Sequence, residues 1–173
     1  MTTQINKTKT WFAVFIMVLL MIVTRGHANW LSSLTHLPDF TIPALLIAGV
    51  YLRQFWVAFT IILSAVAIDN YAIVHQGISA NCITPAYSVL PLTYYGVFWA
   101  GKYISALKID TNIIKNTLII IATLGTQWLM ATASYYFFTA TYAKTGWAGF
   151  STYVAQWSML EILPMLYWVA AVS

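Results

Sequence analysis

The sequence predicts an all-α integral membrane protein with six transmembrane helices. Of its 173 residues, 61% are apolar and only 7% are charged, whereas an ordinary soluble domain has about 25% charged residues. A hydrocarbon core about 30 Å thick takes about 20 residues per helix, so six spans use roughly 120 residues. The rest suffices for connections only, which predicts a single transmembrane domain over residues 1–173 and excludes a large domain outside the membrane.

Apolar segments separated by polar or turn-forming residues define the predicted helices. They cover residues 9–24, 38–52, 55–75, 86–107, 113–138 and 147–172. The first contains a short apolar run at 11–23, which Lys9 and Arg25 can extend by snorkelling to the two interfaces. A signal peptide cleaved after Ala28 is the alternative, but Arg25 interrupts the cleavage region and further apolar spans follow.

Turn-forming residues bound the remaining helices. Pro38 and Pro43 mark the start of helix 2, which stops at Arg53. The Gly, Ser, Asn and Pro content of 75–85 marks a loop before helix 4, and the polar segment 139–146 separates helix 5 from helix 6. Helix 6 contains an intramembrane acid, Glu161, for which we expect a hydrogen bond to a neighbouring helix.

The distribution of basic residues predicts the orientation. With the N-terminus inside, six of the eight basic residues lie in the cytoplasm, where Lys and Arg are retained. These six are Lys7, Lys9, Arg53, Lys102, Lys108 and Lys115. Arg25 and Lys144 then lie outside, and both termini are cytoplasmic. The basic residues are too scattered for a nucleic-acid site.

This orientation places all three histidines and the only cysteine on the external face. The residues are His27, His36, His75 and Cys82. A lone cysteine is usually a small buried hydrophobe, but Cys82 follows Asn81 in a polar loop, where a thiolate can bind a soft metal. The histidines lack the spacing of a metal site, so they are interfacial hydrogen-bonding residues or contacts to a polar ligand.

Asp69 is a carboxylate within a predicted membrane helix, where a charge is costly unless it is paired or hydrated. Arg25, at the same end of the bundle, is a suitable partner. An ion pair that ties helices together and a contact to a ligand are both open interpretations. Aromatic residues form 16% of the chain, and those near the external face, including Tyr87 and Tyr135, belong either to an interfacial belt or to a pocket wall.

Two passages carry a resemblance to a known family. They run from Thr24-Arg25-Gly26-His27-Ala28-Asn29-Trp30 through Asp39, and over the loop Ser79-Ala80-Asn81-Cys82-Ile83-Thr84-Pro85. With the six-span layout, the chain resembles the S-components of energy-coupling-factor vitamin transporters, and within them the BtuM-type solitary cobalamin transporters of proteobacteria. The resemblance extends over nearly the whole chain.

The resemblance implies a multi-pass protein of the bacterial inner membrane that takes up vitamin B12. It implies that Cys82 is an axial ligand of the cobalt. A thiolate in that position weakens the bond to the ligand opposite, so we expect Cys82 to assist release of cyanide from cyanocobalamin. Cobalamin is then the transported ligand, with no separate metal or nucleotide. From topology we add further candidate contacts to the ligand: His27, Arg25, Trp30, His75, Asn81, Tyr87 and Tyr135.

The chain departs from S-components that share an energising module, because helix 1 lacks their AxxxA motif: Met17 follows Ala13 at that spacing. The sequence also lacks a P-loop for ATP hydrolysis. The chain therefore cannot hydrolyse ATP itself, and because helix 1 lacks the docking motif we expect no dedicated ATPase partner. Three alternatives remain: an S-component-like subunit for another vitamin, a structural subunit of a membrane complex, and a membrane enzyme with Cys82 as nucleophile and His75 as base.

Overall fold

The computed structural model describes residues 7–25, 39–76, 85–106, 113–139 and 145–172. Every regular element in these ranges is helical, which confirms the predicted all-α class with six helices. The α-helices are α1 (Lys7–Thr24), α2 (Thr41–Ile47), α3 (Phe55–Gln76), α4 (Leu90–Ala106), α5 (Ile113–Phe138) and α6 (Gly146–Val172).

Three of the helices, α1, α3 and α5, are long and apolar enough to cross a membrane. Their large apolar side chains point away from the protein: Phe12 on α1 is 66% exposed, Phe59 on α3 67% and Ile114 on α5 69%. A soluble protein rarely exposes so extensive an apolar surface. Contact with lipid chains accounts for it, and the chain is therefore a membrane protein.

Helix α2 is shorter than the predicted second span. It ends at Ile47 and continues as a π-helical turn, Ala48–Leu52. At about 1.5 Å per residue, the described segment 41–52 rises about 18 Å, less than the hydrocarbon thickness. This part of the chain therefore does not support a complete second span. The segment is instead a core element, in which Ala44, Leu45 and Ala48 are fully buried.

A close contact between two glycines brings α2 and its π-turn against α4. A Cβ atom on Gly49 would collide with the carbonyl oxygen of Phe98 and lie 3.0 Å from the Cα of Gly101. The π-turn then ends at Arg53, which has a left-handed φ of 58° and donates its N–H to the carbonyl of Ala48 at 2.8 Å. Because neither glycine has a side chain, the two helices can approach this closely.

Helix α4 starts later than predicted. A 3₁₀ turn, Pro85–Val89, precedes it. Pro91 has no N–H to donate to the carbonyl four residues earlier, so regular α-helical hydrogen bonding starts only beyond this point and a tighter turn fills the preceding residues. Tyr87 lies in that turn and not in the α-helix where we predicted it.

One hydrophobic core joins the first five helices. Each contributes a side chain without solvent exposure: Met21, Leu45, Ile61, Phe98 and Leu124. Helix α6 packs on α5 through an aromatic cluster. In it, the ring of Tyr136 lies 5.2 Å from that of Phe150, and the Tyr136 hydroxyl donates to the carbonyl of Gly146 at 3.0 Å.

Candidate functional site

Arg25 lies at the centre of the most extensive polar network among the described residues. It directly follows α1, where its N–H extends the helical pattern by donating to the carbonyl of Met21 at 2.8 Å. Its side chain is 9% exposed. Nε donates to Oδ1 of Asp69 at 2.7 Å and Nη2 donates to Oδ2 at 2.8 Å. The paired guanidinium and carboxylate groups fix both distance and orientation between α1 and α3.

A second carboxylate connects Arg25 to the start of α2. Nη1 of Arg25 donates to Oδ2 of Asp39 and to Oγ1 of Thr41, both at 2.8 Å. Oδ1 of Asp39 accepts from the backbone N–H of Thr41 at 2.9 Å and from its hydroxyl at 2.7 Å. This local turn holds the carboxylate in place and satisfies a backbone donor at the beginning of the helix.

Two tyrosines complete the network. The hydroxyl of Tyr87 donates to Oδ2 of Asp69 at 2.5 Å. The hydroxyl of Tyr94 accepts from Nη1 and Nη2 of Arg25 at 3.3 and 3.4 Å. We call these six residues the Arg25 cluster: Arg25, Asp39, Thr41, Asp69, Tyr87 and Tyr94. The Arg25 cluster joins the ends of α1 and α2 to α3, α4 and the 3₁₀ turn.

The Arg25 cluster combines one cation with two carboxylates, a formal charge of −1 with both carboxyl groups ionised. Burial lowers the pKa of Arg25, but the hydrogen bonds to Asp69 and the neighbouring charges raise it more, so its pKa lies above the ordinary value. Arg25 therefore stays charged at any physiological pH. Asp39 is the most accessible charged group of the cluster, with a side chain that is 40% exposed. Its carboxylate can accept hydrogen bonds from a ligand that carries amide groups.

The structure brings together two of the predicted site residues, Arg25 and Tyr87, through their shared contact with Asp69. It also confirms that Asp69 pairs with Arg25. Four other predicted site residues lie outside the described residues: His27, Trp30, Asn81 and Cys82. In the sequence they belong to the segments 26–38 and 77–84, which adjoin Arg25 and the turn that carries Tyr87.

The two remaining predicted site residues have other surroundings. His75 is exposed at the end of α3, where its ring lies 4.7 Å from that of Tyr71 on the same helix. Tyr135 lies near the end of α5 with 42% of its surface exposed. Their predicted contacts with a ligand stay predictions. The described side chains do not include Glu161, whose interhelical hydrogen bond also stays a prediction.

Sequence reasoning did not predict that three members of the Arg25 cluster lie beside Arg25: Asp39, Thr41 and Tyr94. A signal for the first two was present, because an Asp two residues before a Thr at the start of a helix is typical of a side chain that binds the following backbone. The chain also has only four acidic residues, so each of them is a candidate partner for a buried arginine. Tyr94 is one of the aromatic residues expected near the external face, in a belt or a pocket wall, but nothing in the sequence indicates that it contacts Arg25.

The chain matches no family model, and no curated protein matches it.

Proposed function

We propose that this protein binds cobalamin at its external face and carries it across the bacterial inner membrane. The observation that supports this proposal best is the ion pair between Arg25 and Asp69, with Tyr87 bound to the same carboxylate. It ties together the helix ends that adjoin segments 26–38 and 77–84. Those two segments contain the cysteine and the other polar residues on which the resemblance to cobalamin transporters depends.

Cobalamin suits such a site chemically. It is a large, mainly planar corrin with amide arms and a cobalt ion whose axial ligands can exchange. Exposed carboxylate oxygens such as those of Asp39 accept hydrogen bonds from amides, and tyrosine rings provide flat apolar walls. The thiolate of Cys82 is a soft donor suited to a late transition metal.

In the proposed site, Cys82 takes the axial position from which the vitamin's own benzimidazole base has dissociated. The sulphur donates an electron pair to cobalt(III) and weakens the bond to the ligand opposite. When that ligand is cyanide, it leaves with the electron pair of the cobalt–carbon bond, and water takes the vacant position. No electron is gained or lost by the metal in this exchange.

We also propose that transport does not use a shared ATPase module docked on α1. The outward surface of α1 is covered by large aromatic side chains, with Trp11 58%, Phe12 66% and Phe15 62% exposed. Close approach of a partner helix requires small residues. Bulky rings at these positions favour contact with lipid over tight docking.

Growth of a cobalamin-requiring bacterial strain that lacks its own uptake system tests the proposal. With this chain as the only transporter, we expect growth on low vitamin B12, and we expect Cys82→Ser to weaken or abolish it. Ser79→Ala, in the same segment, is the matched control and should support normal growth. If membranes contain the wild-type protein and growth equals that of the empty vector, the transport proposal is wrong.

A further inference from the structure

A groove of about 420 Å³ runs between α4 and α5, on a surface distinct from the Arg25 cluster. Four small residues form much of its wall: Gly96 and Ala100 on α4, and Ala122 and Thr126 on α5. Each pair has the spacing small-xxx-small, which lets transmembrane helices approach closely. Gln127 lines the same groove.

Gln127 contains an unsatisfied polar atom. The residue is only 6% exposed, and among the described residues no donor reaches its Oε1. Gln127 lies near the middle of α5, where a spanning helix is deepest in the bilayer. An unpaired acceptor costs free energy at that depth, because lipid chains have no donor to offer and phospholipid headgroups remain at the interface.

No contact within the described part of the chain explains a glycine at position 96 either. Glycine in a helix interior costs about 1 kcal/mol relative to alanine. A Cβ atom added at Gly96 would meet nothing within 4 Å, in contrast to the crowded Gly49. Gly96 is exposed, so the absent side chain leaves room for something that packs against α4 from outside.

The missing donor is present on the same surface. Thr126 is exposed, and its hydroxyl makes no hydrogen bond to any other residue that the structure describes. Consecutive residues of a helix point about 100° apart, so Thr126 cannot reach the amide of Gln127 in its own chain. A second copy related by a two-fold axis can provide the contact, because such an interface presents the same surface twice.

We propose that the groove between α4 and α5 is the interface of a two-fold symmetric homodimer in the membrane. The small residues of the two copies pack together, and Thr126 of each copy donates to Oε1 of Gln127 in the other. The terminal torsion of a glutamine side chain is broad, so a partial rotation of the amide can bring Oε1 towards the groove. The dimer would thus give Oε1 of Gln127 a donor and the hydroxyl of Thr126 an acceptor, and it would fill the space at Gly96.

Energy transfer between donor- and acceptor-labelled full-length chains in phosphatidylcholine vesicles tests the dimer over a range of protein densities. We expect Gly96→Leu to weaken dimerisation at least tenfold and Gln127→Leu to weaken it about three- to tenfold. Gly125→Leu is the matched control, because a Cβ there also meets nothing within 4 Å and the residue does not line the groove. It should dimerise like the wild type.

Disulfide formation provides a second measurement that does not depend on the leucine variants folding. In a Cys82→Ser background, Ala122→Cys should crosslink two chains in vesicles, because cysteines bridge only when their Cα atoms lie within about 7 Å. Phe15→Cys, on the outward surface of α1, should not. Any of three results would overturn the proposal. The wild type stays monomeric at every density, Gly96→Leu and Gly125→Leu dimerise equally well, or a bound lipid occupies the groove of a monomer.

Discussion

Arg25 and Asp69 lie 44 positions apart in the sequence and meet through two hydrogen bonds of 2.7 and 2.8 Å. The pair is mostly buried, with side chains 9% and 22% exposed. Removing one partner of such a pair leaves an uncompensated charge, which costs more than the pair itself contributes. The end of α1 is therefore held in place on α3 by a contact that neither residue can lose alone.

Asp69→Asn should lower the free energy of unfolding by about 2–3 kcal/mol, because the amide cannot neutralise Arg25. Unfolding of the purified protein in mixed micelles measures the change. Asp39→Asn is the matched control. The side chain of Asp39 is 40% exposed and accepts one hydrogen bond from Arg25, so we expect a loss of stability below about 1 kcal/mol. Equal losses in the two variants would contradict the central role of the Arg25–Asp69 pair.

The two tyrosines of the Arg25 cluster should differ in their contributions. Tyr87→Phe removes a 2.5 Å hydrogen bond to a carboxylate and should cost about 1.5–3 kcal/mol of stability. Tyr94→Phe removes only an acceptor at 3.3 and 3.4 Å from Arg25, whose nitrogens have other partners, and should cost less than about 1 kcal/mol. Thermal unfolding of both variants beside the wild type checks this order, and the reverse order would refute it.

The crossing of α2 and α4 should tolerate no side chain at Gly49. Gly49→Ala places a methyl group against the backbone of Phe98 and 2.9 Å from the nitrogen of Lys102, so we expect a loss of about 3 kcal/mol or more. Gly125→Ala, in open space on α5, should instead be neutral or stabilise the protein by up to about 1 kcal/mol. The yield of monodisperse protein and its unfolding temperature compare the two. Equal unfolding temperatures of the two variants would mean that α2 and α4 are not in close contact at Gly49.

The predicted orientation can be tested by labelling single cysteines in a Cys82→Ser background. A membrane-impermeant thiol reagent should label a cysteine at position 144 in intact cells, and should label cysteines at positions 53 and 108 only after lysis. We expect this because the predicted orientation places six basic residues inside and two outside, and Lys and Arg resist translocation. Labelling of position 144 only after lysis would contradict the predicted orientation, and the residues predicted to be external would then face the cytoplasm.

The sequence predicts the helices of this protein well where apolar runs are long, and less well where local backbone chemistry intervenes. The apolar segment near 113–138 is helical over Ile113–Phe138. The π-turn after Ile47 contains Gly49, which lies in close contact with α4. The 3₁₀ turn before Leu90 reflects the missing N–H of Pro91. The glycine contact joins residues far apart in the sequence, so hydropathy does not show it.

The Arg25 cluster illustrates the same limit for the site. The Arg25–Asp69 pair could be predicted because both charges are costly near a membrane and each needs a partner. Tyr94 and Thr41 are uncharged and have no such requirement, so only the packing of α4 and α2 reveals that they face Arg25. The proposed contact of Cys82 with cobalt rests on the resemblance to cobalamin transporters and on thiolate chemistry.

The visible absorption spectrum of corrinoid bound to the purified wild type and to Cys82→Ser tests the central claim most directly. The spectrum reports the axial ligands of cobalt, and serine replaces a soft sulphur donor with a hard, protonated oxygen. For the wild type incubated with cyanocobalamin, we predict a changed spectrum and release of cyanide. For Cys82→Ser, we predict that any bound vitamin keeps the spectrum of cyanocobalamin. Identical spectra for corrinoid bound to the two proteins would contradict cobalt ligation by Cys82.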